Sequence, residues 1–156
     1  MLTGTPKKTP TQALAGFLAK YDPAIAAVAR AALGFLRQRL PGAVEIVYDN
    51  YNALAVGFGP SDRASEAIFS ITVYSRWVSL FFLQGARLKD PAKLLQGRGA
   101  RVRHIVLGAE HDMGTPEVEA LIAAALAAAA RPLDPKAQRR LIIKSVSARQ
   151  RPRRTA

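Results

Sequence analysis

"FSITVYSRWVSLFF", residues Phe69–Phe82, decides the fold. Phe69, Ile71 and Val73 alternate with Ser70, Thr72 and Tyr74; after Ser75-Arg76, Val78, Leu80 and Phe82 resume the apolar phase. A period of two on both sides of a two-residue connection predicts an antiparallel hairpin with one face buried. On its other face Tyr74 is expected opposite Trp77, Thr72 opposite Ser79, and Ser70 opposite Phe81.

The same period extends upstream. Val44, Ile46 and Tyr48 alternate with Glu45, Val47 and Asp49, and Leu54, Val56 and Phe58 alternate with Ala55 and Gly57. Together with the hairpin this reads as a meander of four strands, with a polar loop over Gly59–Ser65. Downstream, a short helix is expected over Pro91–Leu95, a turn at Gly97-Arg98-Gly99, and a fifth strand over Arg101–Leu107.

Helical spacing flanks the meander. Leu14, Phe17, Leu18 and Tyr21 mark a short amphipathic helix over Thr11–Lys20. Asp22-Pro23 opens a second helix, whose apolar stripe is Ile25, Val28, Ala32, Phe35, Leu36 and Leu40, with Arg30, Gly34 and Arg37 opposite; Pro41-Gly42 ends it. Thr115-Pro116 starts the last helix, with Glu117 and Glu119 in the first turn where the dipole favours them. The expected fold class is α+β: an antiparallel sheet of about five strands with helices on one face.

Composition narrows the function. The 156 residues suit one domain: a mobile leader over 1–10, a folded unit over 11–131 and a basic extension over 132–156. The absence of cysteine excludes disulfides, thiolate metal sites and cysteine nucleophiles. The first residues carry no apolar secretory core, and the longest apolar run, Ala120–Ala130, is eleven residues, so a cytoplasmic protein is expected. Of the net charge of +12, residues 131–156 supply +8, with nine basic groups against Asp134 alone.

With helices on one face, the other face of the sheet is the first candidate site. If Val44, Ile46 and Tyr48 point inward, Glu45 and Asp49 point outward; if Val102 and Val106 are core residues, Arg101 and Arg103 do too. Joined by Thr72, Tyr74, Trp77 and Ser79, they form a floor for a small ligand. The alternative is that Tyr74 and Trp77 merely stabilise the hairpin and the charges are solvated. Glu45 and Asp49 lie about 13 Å apart along a strand, too far for paired-carboxylate chemistry.

Other motifs carry less. Glu110-His111-Asp112 is a polar loop without metal-ligand spacing, and His104 falls in phase with Val102 and Val106 as a core histidine. Gly97-Arg98-Gly99 precedes a strand, so no helix dipole backs it as a phosphate loop. No catalytic motif stands out, so a module that binds a small molecule or a partner protein is expected over an enzyme. In the tail, Ile142–Ser147 reads as an added strand or a weak helix, and residues 149–154 are expected to be disordered. Arg139, Arg140, Lys144, Arg149, Arg151, Arg153 and Arg154 would associate with nucleic acid through phosphate neutralisation alone.

Three stretches resemble a known family. "LPGAVEIVYDNYNAL" (Leu40–Leu54) has a Pro-Gly before a strand with Glu and Tyr. "WVSLFFLQGARLKDPAKLLQGRGARVRHIVL" (Trp77–Leu107) runs a strand into Gly85-Ala86-Arg87-Leu88, then Leu94-Leu95-Gln96-Gly97-Arg98-Gly99, then Arg103-His104. With the closing helix, these are similar in order and spacing to the YdhG-like family of bacterial domains of unknown function, over roughly residues 11–130. The tail resembles an extension found in part of that family. The resemblance implies a frataxin-like sandwich, and for one branch an intracellular iron-chaperone role through an acidic ridge. This chain departs from that ridge: no carboxylate stands between Asp22 and Glu45, leaving Glu45 and Asp49 as the candidates for iron.

Overall fold

The computed structural model describes residues 7–108 and 113–155. Its elements run α1 (Pro10–Ala19), α2 (Pro23–Arg39), β1 (Val44–Asp49), β2 (Leu54–Gly59), β3 (Phe69–Val73), β4 (Val78–Phe82), β5 (Arg103–Leu107), α3 (Pro116–Ala128) and β6 (Arg140–Val146). The class is α+β. Among the described residues, three helices accompany one six-stranded sheet of order β5-β4-β3-β2-β1-β6.

Strands β1 to β4 form the expected meander, each antiparallel to the next, and β5 extends it antiparallel to β4. The hairpin register is the one read from its alternation, with Thr72 opposite Ser79 and Ser70 opposite Phe81. Tyr74 N–H donates to the Trp77 carbonyl at 2.9 Å, which closes the turn.

Two expectations about the sheet need correction. It has six strands rather than about five, and it is mixed rather than antiparallel, because β6 runs parallel to β1. A parallel neighbour needs a long crossover. The chain supplies it by passing from β5 at one edge, through α3, to β6 at the other. Leu141 and Ile143 pack against the core while Ile142 pairs with Ile46 on the opposite face, an alternation that suits a strand and not a helix. A register shift between Val47 and Tyr48 leaves Lys144 unmatched as a bulge.

The tail beyond β6 is ordered, contrary to expectation. Arg151 N–H donates to the Tyr51 carbonyl at 2.9 Å, and Arg153 is buried. Charge density alone suggested disorder, but the tail's cations answer carboxylates buried in the domain, as described below.

The core lies between the helices and one face of the sheet, where Phe58, Phe69 and Phe82 are fully buried. Each contributes about 1.5–3 kcal/mol of transfer free energy. α1 begins at Pro10 behind a reciprocal cap, in which Thr9 accepts from Gln12 N–H and the Gln12 side chain accepts from Thr9 N–H. The leader expected over residues 1–10 thus gives way to structure by Thr9; residues 1–6 lie outside the described residues. In α2 the buried stripe is Ala26, Ala29, Ala32, Leu33 and Leu36, rotated from the expected one. Small alanines let the helix lie close to the sheet, and the larger Ile25, Val28 and Phe35 flank it, half-buried.

No helix forms over Pro91–Leu95. Instead the Asp90 carboxylate accepts the backbone N–H groups of Leu94 and Leu95, and Lys93 takes a φ of 55°. Gly42, after α2, is required by both conformation and space. Its φ is 80°, and a Cβ there would sit 1.9 Å from the Asp134 carbonyl oxygen.

Candidate ligand-binding site

Strand registers assign each proposed side chain to a face. Phe58, Phe69, Ile71 and Leu80 face the helices, so their partners do as well. Glu45 pairs with Phe58 and Asp49 with Leu54, so both carboxylates lie on the helix side, beside Val47. Both are buried, at 1% and 0% exposure. Val44, Ile46 and Tyr48 take the open side. β5 is likewise inverted from expectation: Ile105 and Leu107 enter the core, and Arg103, opposite Phe82, follows their phase. Val102 is exposed, and His104 and Val106 lie half-buried on the open face. Thr72, Tyr74, Trp77 and Ser79 remain there as expected, without the carboxylates or Arg103.

Apolar counting failed on β1 because its two acids are neutralised in place. Arg37 donates to both Glu45 oxygens at 2.8–3.1 Å, and Arg139 donates to Oε2 at 3.0 Å. Asp49 receives Lys20 Nζ at 2.8 Å and Arg153 Nη2 at 2.9 Å. Arg153 also donates to the Asn50 and Tyr51 carbonyls, and its ring partner is Tyr21, 5.7 Å from the guanidinium. Burial works to raise the Asp49 pKa, but the donors Lys20, Gln150 and Arg153 outweigh it and hold the carboxyl below its usual range. At the chain end, Asp22 accepts from Thr155 N–H and Oγ1, and these two bonds lower its pKa.

Four of the tail cations therefore bind the domain: Arg139 and Arg153 in ion pairs, Arg154 at the Ala19 carbonyl, and Arg151 over the Tyr51 ring. Arg140, Lys144 and Arg149 are exposed. As iron ligands Glu45 and Asp49 form no site, since a cation would have to displace two basic side chains from each. Among the described residues no three His, Cys, Asp or Glu side chains come together; Glu110, His111 and Asp112 lie outside them.

Arg103 has a structural task. Its aliphatic stem crosses Gly85 so closely that a Cβ there would fall 2.6 Å from Arg103 Cβ, and its guanidinium donates to the Gly99 and Val102 carbonyls. Ala86 N–H donates to the Arg101 carbonyl at 2.9 Å, which joins this segment to the Gly85–Arg87 turn, and Arg101, the remaining candidate, lines a cavity there.

That cavity, about 530 Å³, opens between the last turn of α3, the end of β4, the Gly85–Arg87 turn and the segment Ser65–Ile68. Its apolar walls are Ile68, Phe82, Leu88 and the alanines Ala125 and Ala128–Ala130; its polar groups are Arg87, Arg101, Arg131, Glu66, Gln84 and Ser65. Glu66 is already engaged. Ser61 Oγ donates to it, and Arg131 pairs with it at 3.2 Å. The Ser61 hydrogen bond, with help from Arg131, holds its carboxyl below the usual range despite the opposing effect of burial. Arg87 and Arg101 have no carboxylate partner among the described residues, so the lining carries two uncompensated positive charges.

A volume within about 300–1,000 Å³, apolar walls and a few convergent polar groups are the usual properties of a small-molecule site. Sequence reading missed it because its lining comes from four separate segments; only Arg101 was among the candidates. The Ala-rich end of α3 was a signal, since small side chains at a helix terminus leave space unfilled. Comparison with family models, curated proteins and solved structures finds no match for the chain. Among the described residues, no helix is long and apolar enough to cross a membrane.

Proposed function

We propose that this chain is a binding module for a small organic anion, which it takes into the cavity between α3, β4 and the Gly85–Arg87 turn. The observation that carries this reading is the pair of guanidinium groups, Arg87 and Arg101, lining an apolar-walled cavity without a carboxylate partner among the described residues. A ligand with a carboxylate or phosphate head would take charge-assisted hydrogen bonds from the arginines, and a short apolar body would lie on Leu88, Ile68 and the α3 alanines. The open sheet face, first considered for this role, lacks the Glu45, Asp49 and Arg103 side chains expected on it. Family membership in the YdhG-like group and a frataxin-like sandwich belong to the same proposal; the layer of helices on one side of the β1–β5 meander supports them.

Calorimetric titration with short aliphatic carboxylates, aromatic carboxylates and their uncharged amides tests the reading. Saturable binding of an acid but not its amide is expected. Arg101→Ala should weaken it about tenfold, the low end for a charged hydrogen bond at a partly solvated site. Equal binding of acid and amide, or full binding by an Arg87→Ala/Arg101→Ala double variant, would refute it.

A further inference from the structure

The open face of the sheet has properties of its own, independent of the cavity. Two ring contacts lie along β4. Tyr74 and Trp77 stack with centroids 4.5 Å apart at 23°, and Phe81 leans on His104 at 5.2 Å. Trp77 is 43% exposed. Trp77 and Phe81 are four residues apart on one face, about 13 Å along the strand. Between them sits a row of hydroxyls. Ser70 Oγ and Thr72 Oγ1 are 3.2 Å apart, and Ser79, opposite Thr72, is 1% exposed with its Oγ lacking any partner.

Charge sorts cleanly between the two faces. The strands hold two carboxylates, Glu45 and Asp49, and both point to the helices. The open face therefore presents no carboxylate of its own strands. Basic groups border it: Arg76 in the turn beside Trp77, and Arg140 and Lys144 on β6 at one edge. None of these three forms an ion pair among the described residues. With a net charge of +12, a second copy of the chain is repelled, while a polyanion is attracted.

We propose that the open sheet face binds single-stranded nucleic acid, with bases stacked on the exposed face of Trp77 and on Phe81–His104. Phosphates lie against the basic borders, and the half-buried Ser70 and Thr72 hydroxyls meet a base edge or sugar between the two stacks. A duplex buries its bases and cannot use the rings; an acidic polypeptide offers charge but no planar bases. Sheet width from β5 to β6 is about 24 Å, enough for a short run of nucleotides at the low end of known single-strand site sizes.

Trp77 is the one tryptophan in the chain, so its fluorescence reports on the site directly. The full chain is titrated at about 0.15 M salt with uridine and thymidine oligomers of about ten nucleotides, a duplex of matched length, and polyglutamate. Saturable quenching by the single strands alone is expected, with the two oligomers distinguishing an RNA from a DNA ligand. By labelled-oligomer anisotropy, Trp77→Ala should weaken binding about tenfold, and Trp77→Phe should restore most of it. Absence of saturable quenching, equal binding of duplex or polyglutamate, or undiminished affinity of Trp77→Ala would each overturn the proposal. Because Trp77 is substantially exposed, its replacement leaves the core intact, and the quenching arm needs no variant at all.

Discussion

Replacing Arg153 by alanine should unlock the C-terminal segment from the domain. The Arg153 side chain is 4% exposed and meets an Asp49 carboxylate that is 0% exposed. Removing one partner of such a pair leaves a buried charge and costs about 3–5 kcal/mol. Asp49 keeps Lys20 at 2.8 Å, itself 41% exposed, which places the cost near the lower end, about 3 kcal/mol. The lost hydrogen bonds to the Asn50 and Tyr51 carbonyls act in the same direction. With a urea m-value of about 2 kcal/mol/M, the midpoint should fall by about 1.5 M at unchanged m. The pH dependence gives a second reading. A depressed folded-state pKa means that Asp49 contributes stability above its unfolded value, and that this contribution is lost as pH falls through the folded one. The gap between wild type and Arg153→Ala should therefore hold at neutral pH and close below about pH 4. A cost under about 0.5 kcal/mol, the range of an ordinary surface substitution, would show that the tail is frayed in solution and refute the Arg153–Asp49 pairing as its anchor.

Further outcomes follow from other buried groups. Tyr21 donates to the Val73 carbonyl at 2.7 Å and accepts from Leu54 N–H at 3.2 Å, so Tyr21→Phe should cost about 1–3 kcal/mol in denaturant unfolding. Burial, opposed by Arg153, pushes the Tyr21 phenol up to about 12; wild-type stability should fall as pH rises from about 10 toward that value, a loss absent in Tyr21→Phe. Gly42→Ala places a Cβ on the Asp134 carbonyl in left-handed backbone and should lower stability by at least about 2 kcal/mol, visible as a lower thermal midpoint. Glu45→Gln leaves Arg37 and Arg139 facing each other without their counter-charge, and a loss of about 2 kcal/mol is expected by urea titration.

The central hairpin was legible because Phe69–Val73 and Val78–Phe82 are buried on one face and hydroxylic or aromatic on the other, so alternation and burial agree. β1 and β5 were misread for the opposite reason. Their inward positions include Glu45, Asp49 and Arg103, whose charges are met by residues far off in sequence or by backbone carbonyls, and local alternation cannot register such partners. The same long-range pairing ordered the tail: Arg139 and Arg153 find their carboxylates about a hundred residues upstream. A cluster of cations reads as solvated until those partners are known. The cavity was beyond sequence reading because it is space left among four segments; Arg101 was the candidate within its lining, and the Ala-rich end of α3 signalled unfilled space without locating the other walls.

The most direct test of the account observes Arg87 and Arg101 themselves. Arginine Nε–Hε resonances of the labelled full chain, assigned through Arg87→Lys and Arg101→Lys, would be followed while the acid found by calorimetry is added. Saturable shifts concentrated on Arg87 and Arg101, with the Arg153 resonance unmoved in its buried pair, are the predicted result. Shifts that leave Arg87 and Arg101 unmoved and map to other residues would show that the cavity is not the site.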